Sequence, residues 1–127
     1  MMEATVNVRY MVDDVETAVA WYTGHLGFTL LSNQAPAFAD VRRGALRLLL
    51  SGPTSSAGRP MPDGERPRPG GWNRIHLLVD DLPSEVARLR RTGAQFRNEI
   101  VTGPGGSQIL LVDPSGNLVE LFQPARR

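Results

Sequence analysis

The chain reads as an α+β protein made of two tandem β-α-β-β-β modules. Three observations predict this: an internal near-repeat, a helical pattern behind each copy, and three extended stretches behind each helix. Asn7-Val8-Arg9-Tyr10-Met11-Val12-Asp13-Asp14-Val15 lies without gaps on Arg74-Ile75-His76-Leu77-Leu78-Val79-Asp80-Asp81-Leu82, and both copies share Val-Asp-Asp followed by an aliphatic residue. In the first module Val15, Ala18, Val19, Tyr22 and Leu26 recur at helical spacing, with Asp14 as the N-cap and Gly27 as the stop. In the second, Asp81 precedes Pro83 in the first turn, Val86 and Leu89 face inward, and Gly93 is the expected end. Strands are expected at about 28–32, 37–43 and 45–50, and again at about 94–101, 107–113 and 117–123. Gly103-Pro104-Gly105-Gly106 and Asp113-Pro114-Ser115-Gly116-Asn117 supply the hairpin turns of the second set. Counted from their turn glycines, Gly44-Ala45-Leu46-Arg47-Leu48 falls on Gly116-Asn117-Leu118-Val119-Glu120.

Length and charge limit what the chain is for. The 127 residues are read as a single domain, 1–127, with module one at 1–50, a linker at 51–72 and module two at 73–127. A chain of this size buries roughly two thirds of its unfolded surface. The 14 cations, all arginine, against 13 carboxylates leave a net charge of +1, which lacks the electrostatic footprint of a nucleic-acid binder. Cysteine is absent, so disulfides, thiolate zinc sites and cysteine nucleophiles are excluded. Met1-Met2-Glu3-Ala4-Thr5 is no basic apolar leader, and no run approaches the roughly 20 apolar residues of a membrane span; the expectation is a cytoplasmic protein. Residues 51–71 are too rich in Pro and Gly for a regular element, and their length admits either a plain linker or a lid. Trp72 at its end is read either as closing over a ligand or as ordinary packing.

Strand alternation assigns faces. Val6, Val8, Tyr10 and Val12 form the helix side of the first strand, leaving Asn7, Arg9 and Met11 on the other; Ile75, Leu77 and Val79 leave Arg74, His76 and Leu78. On the last strand Leu118, Glu120 and Phe122 are expected on the cavity side, with Leu46, Leu48 and Leu50 as their counterparts. The predicted ligand-binding set is Asn7, Arg9, Met11, Phe38, Leu48, Trp72, Arg74, His76, Glu120 and Phe122, an apolar wall with a few polar groups that suits an organic ligand.

Val12-Asp13-Asp14-Val15, Ala20-Trp21-Tyr22, Leu26-Gly27-Phe28 and the hairpin Asp113-Pro114-Ser115-Gly116-Asn117-Leu118-Val119-Glu120-Leu121 together resemble the glyoxalase/bleomycin-resistance/extradiol-dioxygenase superfamily, the vicinal oxygen chelate proteins. The resemblance covers both modules. It implies a curved, incompletely closed mixed sheet around a cavity, and a homodimer that completes or swaps the halves. Its members include metal-dependent lyases, isomerases and dioxygenases as well as metal-free proteins that sequester antibiotics, so fold alone does not choose the chemistry.

Metal-dependent members place ligands on the first, fifth and last strands. The matching residues here are Asn7, Arg74 and Glu120, with Leu48 at a further position. Arginine stays protonated and offers no lone pair, so Arg74 is not a ligand. Its guanidinium is instead expected to pair with Glu120, because an ionised carboxylate facing an apolar cavity is costly alone. His76 lies on the same face but roughly 6–7 Å further along the strand, so a metal held by Glu120, His76 and Asn7 stands as the alternative. Glu120 and His76 are also the candidate catalytic pair. Arg9 is read as a site for a ligand carboxylate or phenolate, or as a second partner for Glu120. The expected function is therefore metal-free binding of a small molecule, such as sequestration of an apolar or aromatic natural product in the manner of antibiotic resistance. The alternative is a glyoxalase-like lyase, isomerase or dioxygenase working through Glu120 and His76, with or without a divalent metal.

Overall fold

The computed structural model describes residues 6–126. Its contacts divide the chain after Gly70, and both units carry the predicted module. The first contains β1 (Val6–Met11), α1 (Val15–Leu26), β2 (Thr29–Gln34), β3 (Phe38–Arg43) and β4 (Leu46–Ser51). They form a mixed sheet in the order β1-β4-β3-β2, with β1 parallel to β4 and the other pairs antiparallel. The Asp14 carboxylate accepts from Thr17 N at 3.2 Å, satisfying a donor that the first turn leaves free. Gly27 ends the helix at φ 68°, a conformation that favours glycine. Helix α1 packs on β2, β3 and β4. Val15, Ala18, Tyr22, Val41, Leu48 and Leu50 make the buried core beneath it, and full burial of each Val or Leu side chain contributes roughly 1.5–3 kcal/mol.

The second unit repeats the order with β5 (Ile75–Leu78), α2 (Leu82–Arg91), β6 (Gln95–Phe96), β7 (Val101–Gly103), β8 (Gly106–Val112) and β9 (Leu118–Pro124). The sheet runs β5-β9-β8-β6, with β7 also on β8, and β5 is parallel to β9. Asp81 caps α2 through Ser84 N at 3.1 Å. The helix stops at Arg91, with Thr92 as its C-cap and Gly93 following at φ 85°. Leu82, Val86, Leu89, Val119 and Leu121 supply the core.

Three expectations are corrected. The stretch at 94–101 is not one strand but two: Asn98 Oδ1 takes the N–H of Leu110 at 3.0 Å, so a side chain replaces a backbone acceptor where the ladder breaks. Part of the linker is ordered locally. Ser56–Gly58 forms a 3-10 turn capped by Ser55, whose hydroxyl donates to Gly52 O at 2.6 Å and accepts from Gly58 N at 3.2 Å. The third correction concerns the repeat itself. Val8 pairs with Leu48 and Ile75 with Val119, so Leu48 corresponds to Val119, and the counterpart of Glu120 is Leu49. The β3–β4 turn has only Gly44 and Ala45 between the paired Arg43 and Leu46, whereas residues 113–117 separate Val112 from Leu118. Counting from the glycines therefore slips by one residue, and one residue changes the face. Leu48 and Leu50, fully buried beside Val41 and Ala39, belong to the helix side rather than to the face expected to meet a ligand; Leu46 shares that parity.

Candidate functional site

In the second unit the face away from α2 is built from alternate residues of three strands. The pairs His76–Glu120 and Leu110–Glu120 put one residue from each strand in a row, and Leu78, Phe122 and Gln108 form the next. Glu120 sits in the middle strand, its side chain only 8% exposed. Its Oε1 accepts from Arg74 Nε at 3.0 Å and lies 2.9 Å from Nη2. Its Oε2 lies 3.4 Å from His76 Nε2. Arg74 Nη1 donates to Trp72 O at 3.1 Å, which ties the guanidinium to the chain just before β5. The His76 ring rests against Phe122, with centroids 4.8 Å apart. A carboxylate taken from water is costly, and this one has a fixed cation on one oxygen and an imidazole beside the other.

Around that centre the surface is apolar and open. Leu78 is 62% exposed and Trp72 63%. Trp72 is thus no core filler. It borders a groove of about 300 Å³ with Gly71, Arg97, Val112, Gly116 and Leu118, and the Arg97 guanidinium lies 5.6 Å from its ring centroid. Asp113 holds the neighbouring turn by accepting from Ser115 N at 2.8 Å, Asn117 N at 2.9 Å and Asn117 Nδ2 at 3.1 Å.

The donor set does not fit a divalent metal. Such an ion needs several converging oxygen or nitrogen lone pairs. Arg74 has none, and it engages one Glu120 oxygen while His76 stands at the other. Among the described residues no group of three or more His, Cys, Asp or Glu is placed to hold a metal. Asn7, the remaining candidate ligand, stands on β1 of the first unit.

The equivalent face of the first unit has a different carboxylate, which the sequence reading passed over. Asp40 of β3 is buried and accepts from Arg47 Nε at 2.7 Å and from the Ser32 hydroxyl. Burial alone would raise its pKa, but the hydrogen bonds from Ser32 and Arg47 and the charge of Arg47 outweigh that and hold the carboxyl below its usual range. Arg9 donates from Nη1 to Ser51 Oγ at 2.9 Å, and Ser51 is fully buried. Met11, Ser51 and Phe38 share one row, Arg9, Leu49 and Asp40 the next, and Asn7, Arg47 and Arg42 the third. The expected Asn7, Arg9, Met11 and Phe38 are thus on one face together. Asp40 was findable: parity with Phe38 and Arg42 puts an acid on that face. The pairing of Arg97 with Trp72 has no local signal. A larger hollow, of about 480 Å³, lies at the N-terminal end of α1. It is edged by Asp13, Asp14 and Glu16, and Asp14 is committed to the helix cap.

The family model described as the Glyoxalase/Bleomycin resistance protein/Dioxygenase superfamily matches residues 5–121. Among solved structures, the chain is similar to lactoylglutathione lyase from Agrobacterium tumefaciens, at TM-score 0.76 and 20% identity over 97% of this chain and 95% of that one. It is similar to TnmS3, an antibiotic binding protein from Streptomyces sp. CB03234, at TM-score 0.74 and 26% identity over 98% of each chain. A superfamily member from Sphaerobacter thermophilus DSM 20745 gives TM-score 0.76 and 26% identity over 97% of this chain and 98% of that one. No curated protein matches.

Proposed function

From the premise that this chain belongs to the glyoxalase/bleomycin resistance protein/dioxygenase superfamily, we propose that it binds and sequesters an apolar or aromatic small molecule without using a metal. The observation that carries this is the Arg74–Glu120 ion pair: a side-chain cation stands at the one carboxylate that matches the ligand pattern of the family's metal enzymes. The exposed Trp72 and Leu78, with the groove beside Arg97, give an aromatic guest area to cover and a rigid ring to stack on. The antibiotic-binding relative TnmS3 supports the same direction.

A second reading rests on the 3.4 Å approach of His76 Nε2 to Glu120 Oε2. In that reading the pair exchanges a proton with a bound substrate, and Arg74 stabilises developing negative charge. Metal analysis of protein purified without chelators, followed by a thermal-shift screen of aromatic natural products, tests the proposal. The expected result is substoichiometric metal and a stabilising hit recovered unchanged. One divalent ion per chain, or turnover of the hit that His76→Ala or Glu120→Gln abolishes, overturns it.

A further inference from the structure

The two helix-free faces obey one register, and laying one on the other exposes a charge left over. Arg9–Leu49–Asp40 forms a row across β1, β4 and β3, and His76–Glu120–Leu110 forms the equivalent row across β5, β9 and β8. Acid and leucine have exchanged strands. In the second unit the acid is on the central strand, next to β5, and both Arg74 and His76 of that edge reach it. In the first unit the acid is one strand further out, so it is taken by Arg47 and Ser32. Two strand spacings, about 9–10 Å, separate the backbone of Arg9 from that of Asp40. Arg9 turns instead to the neutral hydroxyl of Ser51.

We propose that Arg9 is the anion-recognition residue of this protein, and that its ligand is an aryl or similarly flat apolar molecule bearing one carboxylate, sulfonate or phenolate. This goes beyond the small-molecule reading above: it concerns the first unit's own face and rests on that reading for the class of guest. Three features of the face fit that class. Among the described residues of these rows the arginines Arg9, Arg42 and Arg47 stand against one carboxylate, Asp40, which already belongs to Arg47. Arg42 Nε donates to Gly44 O at 2.8 Å, which turns its fork toward the hairpin. Arg9 is exposed and, among the described residues, its hydrogen-bond partner is Ser51, which fixes one arm and leaves the other donors of the fork for a guest. Its neighbours in the same rows are Leu49, Met11 and Phe38, each half-buried, which give an apolar bed beside the charge. A fixed guanidinium next to apolar surface favours a carboxylate attached to an apolar ring over either a free inorganic anion or a neutral ring.

The test uses 2-naphthoate and its neutral isostere 2-naphthamide, titrated calorimetrically into the intact protein. Naphthoate is expected to bind about tenfold more tightly than the amide, the scale of one charge-assisted contact. Arg9→Gln is expected to bring the two within about twofold while leaving amide binding unchanged; Arg9→Lys is expected to retain part of the preference. Arg91→Gln, an exposed arginine at the end of α2, serves as the control and is expected to leave the preference intact. Equal binding of acid and amide to the unaltered protein overturns the anion assignment and leaves the small-molecule reading standing. A preference that survives Arg9→Gln but vanishes in Arg97→Gln overturns the assignment to Arg9. Failure of both compounds to bind counts against the two readings together.

Discussion

The helix-free faces of the two units solve the same electrostatic problem with different strands. Among the described residues each carries one buried carboxylate, Asp40 on β3 or Glu120 on β9, and each carboxylate is held by one arginine and a second polar side chain. The difference is in what the solution leaves behind. Centring the acid, as with Glu120, gathers Arg74 and His76 into a closed triad whose guanidinium and imidazole come from the same edge strand region. Moving it outward, as with Asp40, recruits Arg47 and Ser32 from the flanking strands and leaves Arg9 bonded to a hydroxyl. A one-strand displacement of a carboxylate thus separates a face that is internally neutralised from one that presents a cation. Both faces derive from one topology, so the contrast is a matter of side chains and not of backbone.

The largest expected effect compares the two arginines as supports. Arg74→Leu leaves Glu120 buried with only His76 nearby, and loss of a partner from a buried pair costs about 3 kcal/mol. For a chain of this size that lowers Tm by roughly 10 °C. Arg47→Leu removes the equivalent contact from Asp40, but Ser32 still donates to that carboxylate and the Arg47 side chain is 37% exposed, against 29% for Arg74. The expected cost is about 1 kcal/mol. Thermal and urea denaturation of both variants measure this, and equal losses would erase the distinction between a closed and a shared pair.

A gain-of-function substitution sharpens the same contrast. Arg74→His replaces a cation that cannot ligate by an imidazole beside Glu120 and His76, completing a set of nitrogen and oxygen donors. Nickel or zinc affinity measured by calorimetry is expected to rise at least about tenfold over the unaltered protein. The equivalent substitution in the first unit, Asn7→His, is expected to give no gain, because the central-strand position of the next row is Leu49 where the second unit has Glu120.

How far these faces were legible in sequence depends on how clearly each strand alternates. Asn7-Val8-Arg9-Tyr10 and Arg74-Ile75-His76-Leu77 switch polarity at every step, and the paired register agrees with the faces they predict. Glu120 breaks an apolar run and so marks its own face. Leu46-Arg47-Leu48-Leu49-Leu50 carries leucine at both parities past Arg47, so its facing was inferred from the turn glycines, whose loops differ in length. Arg47 held the answer, because a charged side chain at that parity belongs on the helix-free face. The division of β6 from β7 depends on Asn98 bonding across the ladder, a tertiary contact that local propensity does not encode. Trp72 was visible as an aromatic at the end of a linker; its exposure and its neighbour Arg97, which follows β6, were not.

The smallest expected effect is a change in acid sensitivity. The Asp40 carboxyl is held below 3.8 in the folded protein, so the ionised form contributes stability above the unfolded carboxylate pKa, and that contribution fades as pH falls through the lower folded value. Asp40→Asn removes this dependence: the difference in Tm between the two proteins should be constant near neutrality and shrink below about pH 4. Asp81 is shifted the same way, by hydrogen bonds from the Ser84 backbone and side chain at the start of α2, and it remains in both proteins, so the subtraction isolates Asp40. The sign also bears on the anion-binding face. Protonation of Asp40 frees Arg47 and makes the first unit's face more positive, whereas a ligand carboxylate titrates in the same range and loses its own charge. Naphthoate binding to the unaltered protein should therefore fall as pH drops below about 4, while a sulfonate of the same ring, ionised throughout, should bind more tightly. Parallel decline of both would place the titrating group in the protein rather than in the ligand and would remove Asp40 as the restraint on Arg47.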